Sequence, residues 1–119
     1  MYVVERARVR PNEVDIMRIL VVDDQKFFRR IVQEWLEKEE DLEVIGTASN
    51  GKIAIEMVES LQPNIVLMDI EMPVLNGIET TQVVKQKYPQ VKIIMLTAFD
   101  NDENIFNAIK AGADGYLLK

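Results

Sequence analysis

The chain has 119 residues, 48% of them hydrophobic, which suits one domain with a real core and leaves no room for two. Its 14 Lys+Arg against 20 Asp+Glu give a formal net charge of -6, so the surface repels a phosphate backbone and direct nucleic-acid binding by this segment is not expected. Without Cys or His there is no disulfide, no thiol chemistry, no Cys- or His-based zinc site and no Ser-His-Asp or Cys-His catalysis.

Residues 1–16 stand apart as an N-terminal extension. Arg6, Arg8 and Arg10 balance Glu5, Glu13 and Asp15, so the net charge lies entirely in 17–119, and Pro11-Asn12 reads as a break. From Met17 onward, apolar runs alternate with helical periodicity. Ile19-Leu20-Val21-Val22 is a continuous β-branched run, as expected of a strand buried on both faces. Phe27, Phe28, Ile31, Val32, Trp35 and Leu36 form one stripe of a helix over about 25–38. Leu42, Val44 and Ile45 mark a second strand, ended by the turn residues Ser49-Asn50-Gly51. Ala54, Met57, Val58 and Leu61 mark a second helix, stopped before Pro63.

Ile65-Val66-Leu67-Met68 is the third strand. A weaker helix runs from about Ile78 to Lys87 and closes at Tyr88-Pro89. Val91 and Ile93 to Leu96 make the fourth strand. Ile105, Ala108 and Ile109 mark a fourth helix, ended by Gly112. Tyr116-Leu117-Leu118 is the fifth strand. Five strands and four helices in strict alternation, joined by right-handed crossovers, predict an α/β domain over 17–119. Its sheet is parallel and doubly wound, with helices on both faces. No apolar run approaches the ~20 residues that span a bilayer, and the N-terminus lacks a secretory h-region, so a cytoplasmic protein is expected.

In such a sheet ligands sit beyond the carboxyl ends of the strands. Asp23-Asp24 follow the first strand, Asp69 the third, Thr97-Ala98 the fourth and Lys119 the fifth. A single Asp at a strand end is ordinarily a helix cap or turn former. The conjunction points further. Carboxylates sharing one rim repel unless a cation sits between them. All-oxygen donors favour Mg²⁺ or Mn²⁺, and a Lys and a Thr hydroxyl opposite suit a phosphoryl group. No G-x-x-x-x-G-K-S/T or G-x-G-x-x-G follows any strand, which argues against nucleotide binding.

The stretches ILVVDDQ (19–25), IVLMDIEMPVLNGIE (65–79), IIMLTAFD (93–100) and AIKAGADGYLLK (108–119) resemble the receiver (CheY-like) domains of bacterial two-component response regulators. GADGYLLK and MPVLNGIET look most like receivers of the LuxR/FixJ (NarL) type. The resemblance implies the flavodoxin-like strand order 2-1-3-4-5 and a role in phosphorelay signal transduction. Asp69 would then be the phosphoacceptor served by a sensor histidine kinase. Asp23 and Asp24 would hold Mg²⁺, one directly and one through water, with the Glu71 backbone carbonyl as a further ligand. Lys119 would pair with the carboxylate or phosphoryl oxygens, Thr97 would turn its hydroxyl toward the phosphoryl group, and Tyr116 would be the ring that swings inward on activation. Met72-Pro73 with Asn76-Gly77 reads as the tight loop beside Asp69.

A receiver is a switch rather than an enzyme, catalysing only its own phosphorylation and dephosphorylation. The resemblance implies control of an output domain or partner, of transcription in a full-length protein, with a homodimer as one form of the switch. Two departures from the family set this chain apart. The family's fifth helix is absent after Lys119, which would bare apolar residues of strands four and five and leave Lys119 on a fraying end. Either the chain is a fragment of a longer regulator, or it is a short receiver whose residues 1–16 (Val3, Val4, Ala7) cover that face. An unstructured or foreign leader is the plainer account of those residues. Phe99 stands where polar residues are common and would shield the phosphoryl group. Two rival functions fit the residues less well. A haloacid-dehalogenase enzyme wants Asp-x-Asp-x-Thr/Val, but here Asp69-Ile70-Glu71 leads to Pro73. A phosphorylation-independent binding module would be signalled by loss of Asp69, Asp24 or Lys119, and all three are present.

Overall fold

Each continuous apolar run becomes a strand, because a parallel sheet wrapped by helices buries both of its faces. The computed structural model describes residues 16–98 and 102–119. Strands β1 (Met17–Val22), β2 (Leu42–Ala48), β3 (Ile65–Asp69), β4 (Lys92–Thr97) and β5 (Gly115–Leu118) alternate with helices α1 (Lys26–Leu36), α2 (Gly51–Leu61), α3 (Gly77–Lys87) and α4 (Asp102–Ala111). All pairings are parallel, in the order β2-β1-β3-β4-β5, as expected from the sequence.

Side chains alternate across a strand, so residue parity sorts the core into two layers. Leu20, Val22, Val66, Met68, Ile93 and Met95 pack with Ala54 and Val58 of α2, Val84 of α3 and Ala108 of α4. Ile19, Val21, Ile65, Leu67, Ile94 and Leu96 pack on the opposite face with Val32 of α1, with Phe28, Leu36 and Leu117 at the edge. Parity continues past the strand ends. Asp23 follows Ile19 and Val21, Asp69 follows Ile65 and Leu67, and Lys119 follows Leu117. The three charged groups are thereby set on the α1 side of the carboxyl rim.

The far rim is tied by cations. Arg18 donates to the carbonyls of Gln62 and Leu61 at the C-terminus of α2, where carbonyls lack helical partners. Lys85 Nζ donates to the carbonyls of Pro89 and Val91 and to Asp114 Oδ2, which also accepts from Ile93 N. Gly112 ends α4 at φ 106°, the left-handed position a glycine takes most cheaply.

The structure departs from the sequence reading in four places. First, β2 ends at Ala48, just before the expected turn, with Gly46, Thr47 and Ala48 paired to Leu20, Val21 and Val22 after a register shift, but Gly51 of that turn already belongs to α2. Asn50 is then the N-cap of α2, its Oδ1 accepting from Ile53 N at 2.9 Å, with no free turn between. Second, the apolar stripe of α1 splits. Val32 is buried and Phe28 and Leu36 are partly so, whereas Phe27, Ile31 and Trp35 are 75%, 44% and 62% exposed. Successive residues lie ~100° apart on a helix, so the 28/32/36 edge meets the sheet and the 27/31/35 edge turns away. Third, strand four is not bare. Ile94 and Leu96 are 2% and 5% exposed, although Leu118 of β5 is 54% exposed. Fourth, Asn76-Gly77 opens α3 instead of lying in a free loop, for the capping reason given below. Expectations for Val3, Val4, Ala7 and Phe99 fall outside the described residues.

Candidate functional site

Three strand ends converge on one cluster. Asp23, directly after β1, is fully buried. Its backbone N–H donates to the Ala48 carbonyl at 3.0 Å, its Oδ1 accepts from Gln25 N at 2.9 Å, and its carbonyl accepts from Arg29 Nη1 at 2.7 Å. The acidic turn is thus locked to β2 on one side and to α1 on the other. Asp69 closes β3 and is 5% exposed; Asp24 is exposed. Asp23, Asp24 and Asp69 each bring a carboxylate oxygen within 4.8 Å of the others.

Lys119 enters this cluster from the end of β5, held by its backbone N–H to the Thr97 carbonyl at 2.7 Å. Its Nζ lies 2.6 Å from Asp23 Oδ2 and 3.3 Å from Asp69 Oδ1, and the side chain is only 14% exposed. The same ammonium sits over the ring of Phe28, 4.5 Å from its centroid. The sequence reading missed Phe28, treating it as one residue of an apolar stripe. A place in a helical stripe carries no sign of a contact with a residue at the far end of the chain.

Burial drives the Asp69 carboxyl up from 3.8 to about 6; the Asp23 charge adds to the rise and Lys119 opposes it. Burial alone would lower the Lys119 ammonium, but contact with the Asp23 and Asp69 carboxylates outweighs it and holds the group above its ordinary value. Three carboxylates around one ammonium leave a surplus of negative charge. Asp23 Oδ2 is buried, and its contact with Lys119 lacks the angular form of a hydrogen bond. A hard divalent cation fits such a set: every donor is oxygen, and the buried Asp23 oxygen has acceptor capacity beyond its contact with Lys119.

The cluster opens into a cleft of about 790 Å³ lined by Asp24, Asp69, Glu71, Thr97, Asn104 and Lys119 among others. Thr97 is 2% exposed at the end of β4. Glu71 lines the cleft on the loop after β3. Tyr116 is half-buried, packed with the core layer under α2, α3 and α4, and does not line the cleft. The structure therefore brings together Asp23, Asp24, Asp69, Thr97, Glu71 and Lys119, and sets Tyr116 to one side.

The loop after β3 is shaped by α3. Asn76 caps that helix, accepting from Glu79 N at 2.9 Å, while the Glu79 carboxylate accepts from Asn76 N at 3.3 Å. A Cβ on Gly77 would overlap the Asp69 carbonyl oxygen, so only glycine lets the start of α3 lie against the end of β3.

Residues 19–119 match the family of response regulator receiver domains. The chain is 45% identical over 104 residues to the transcriptional regulatory protein LnrK of Bacillus subtilis (strain 168), covering 87% of this chain and 47% of that protein. It is 40% identical over 112 residues to the transcriptional regulatory protein DegU of Brevibacillus brevis, covering 94% and 46%. The chain thus spans about half the length of the curated relatives it matches. Among solved structures, the response regulator domain of Thermotoga maritima CheB superposes with a TM-score of 0.83 at 34% identity, covering 87% of this chain and 78% of that one. The signal receiver domain of NarL from Mycobacterium tuberculosis gives 0.82 at 28% identity, covering 87% and 84%. Among the described residues no helix is long and apolar enough to cross a membrane.

Proposed function

The chain belongs to the response regulator receiver family, and from that premise we propose that it is a phosphoacceptor switch in which Asp69 takes a phosphoryl group from a sensor histidine kinase. One observation carries the reading. A buried carboxylate at the end of β3 lies among two further carboxylates, with a lysine ammonium 3.3 Å from its oxygen.

An Asp69 oxygen attacks the phosphorus of a phosphohistidine. The new O–P bond forms as the N–P bond breaks, leaving an acyl phosphate on Asp69 and a free imidazole on the kinase. Such transfer asks little covalent chemistry of the protein; positioning and positive charge against the phosphoryl oxygens suffice. Asp23, Asp24 and Asp69, with the Glu71 backbone carbonyl, would hold Mg²⁺ or Mn²⁺, which when bound supplies charge against the phosphoryl oxygens. Lys119 supplies the second positive group. Phosphorylation adds roughly −1.5 to −2 charge at one point. Thr97 then turns its hydroxyl toward the phosphoryl group, and Tyr116 swings inward. These differential contacts shift the equilibrium between two surface states.

That switched surface would act on an output domain or partner, in keeping with relatives named as transcriptional regulators, and a homodimer is one form such control could take. A kinase-coupled role places the domain in the cytoplasm. Incubation with acetyl phosphate and Mg²⁺, read by intact mass, should add one phosphoryl group. Addition that persists in Asp69→Ala, or that ignores removal of Mg²⁺ by EDTA, would refute the assignment.

A further inference from the structure

The ammonium of Lys119 has three neighbours, two of them the carboxylates of Asp23 and Asp69 and the third an aromatic face. A ring presents negative potential on its face and attracts a cation lying within about 6 Å of its centroid. Phe28 meets that condition at 4.5 Å. It can hold the position because its other side is anchored, packed at the edge of the core layer that contains Ile19, Val21, Val32 and Leu67. Its neighbour Phe27 is 75% exposed, so the helix spends one aromatic on the site and leaves the next in solvent.

Lysine carries its charge on a flexible four-carbon stem, and holding that charge at one point costs rotamer freedom. The two carboxylates hold the ammonium at unequal distances. Left to them, it can settle on Asp23, whose oxygen is nearer at 2.6 Å, and drift from Asp69. A ring face 4.5 Å from the ammonium gives it a further attraction that limits this travel.

We propose that Phe28 is a positioning residue for the phosphoryl-transfer site, its ring face seating the Lys119 ammonium between Asp23 and Asp69. This rests on Asp69 being the phosphoacceptor. It adds α1 to the elements that set the reaction rate, through an aromatic side chain that acts by way of Lys119.

The test separates ring chemistry from packing. Mono-, di- and trifluorinated phenylalanines at position 28 keep the shape and weaken the negative face in steps. The rate of phosphorylation by acetyl phosphate at saturating Mg²⁺ should fall with each step, by about 3- to 10-fold at trifluorophenylalanine. Phe28→Tyr should keep the rate and Phe28→Leu should lose it. In a Lys119→Gln background fluorination should change nothing. An independent reading needs no phosphorylation. The ε-methylene protons of Lys119, observed with ¹³C-labelled lysine, should be shifted upfield by the ring and return to ordinary values in Phe28→Leu. Absence of that shift in the wild type, or a phosphorylated protein whose rate ignores fluorination, would overturn the role of Phe28 alone. A wild type that shows the shift but takes no phosphoryl group on Asp69 would overturn the reading of the site, and the role of Phe28 in catalysis with it.

Discussion

Asp69 is a carboxyl group whose environment favours its proton. In the unfolded chain it titrates at 3.8; in the fold it titrates at about 6. The native state therefore binds the proton more tightly, and ionising Asp69 destabilises the fold. That cost is absent below about pH 4, builds between pH 4 and 6, and is fully present above pH 6. A shift of this size converts to about 3 kcal/mol, and the open cleft screens it to roughly 1–2 kcal/mol. Asp69→Asn should accordingly raise the melting temperature in metal-free buffer at pH 7.5 and leave it nearly unchanged at pH 3.5. Equal gains at both pH values would show that charge is not the cause. The same titration should govern reactivity: at limiting Mg²⁺ the rate of phosphorylation by acetyl phosphate should fall as pH drops through about 6, because the protonated carboxyl is a poor nucleophile.

Arg29 acts at this scale as well. Its guanidinium holds the Asp23 carbonyl at 2.7 Å and so braces the acidic turn from α1. Arg29→Met keeps the stem and removes the donor. It should cost about 1–2 kcal/mol of stability, read by urea unfolding, with weakened Mg²⁺ binding as the companion effect.

The elements around the site show where local sequence and tertiary demand agree or conflict. Asn76 and Glu79 form a capping box, a pattern readable in the sequence as Asn-x-x-Glu, and it marks the start of α3 more firmly than the helix's weak apolar periodicity does. Asn76→Ala should lower stability by about 1 kcal/mol, measured by thermal unfolding. Val74 is in conflict. It stands at φ 72°, a left-handed conformation that a β-branched residue takes at a cost, and it is 76% exposed, so no burial compensates. Val74→Gly should raise stability by about 0.5–1 kcal/mol, a few degrees in melting temperature. A loss would mean that the side chain itself supports the loop beside Asp69. The split of α1 belongs here too. Six apolar residues allow two helix edges, and periodicity alone does not say which one meets the sheet.

At the scale of the molecule, the cluster is a point of concentrated negative charge in a chain already at -6. A divalent cation that binds the native cluster and not the unfolded chain must stabilise the fold by mass action. Millimolar Mg²⁺ should raise the melting temperature by a few degrees, EDTA should reverse the rise, and Asp24→Asn should blunt it. An equal Mg²⁺ response in Asp24→Asn would place the bound ion elsewhere.

Alternation of β-branched runs with helical stripes, and the placing of Asp23, Asp69 and Lys119 at strand ends, were settled by the sequence alone. A parallel sheet accepts one handedness of crossover, and strand parity carries every second side chain to the same face. Only the tertiary structure decided the rest: the 28/32/36 edge of α1 as the buried one, the register shift between β1 and β2 at Ile19/Leu20, and the ring of Phe28 under Lys119. These depend on contacts between segments far apart in the chain, which local patterns do not encode. The raised Asp69 carboxyl has the same origin, since burial and a neighbour's charge exist only once the strands are side by side.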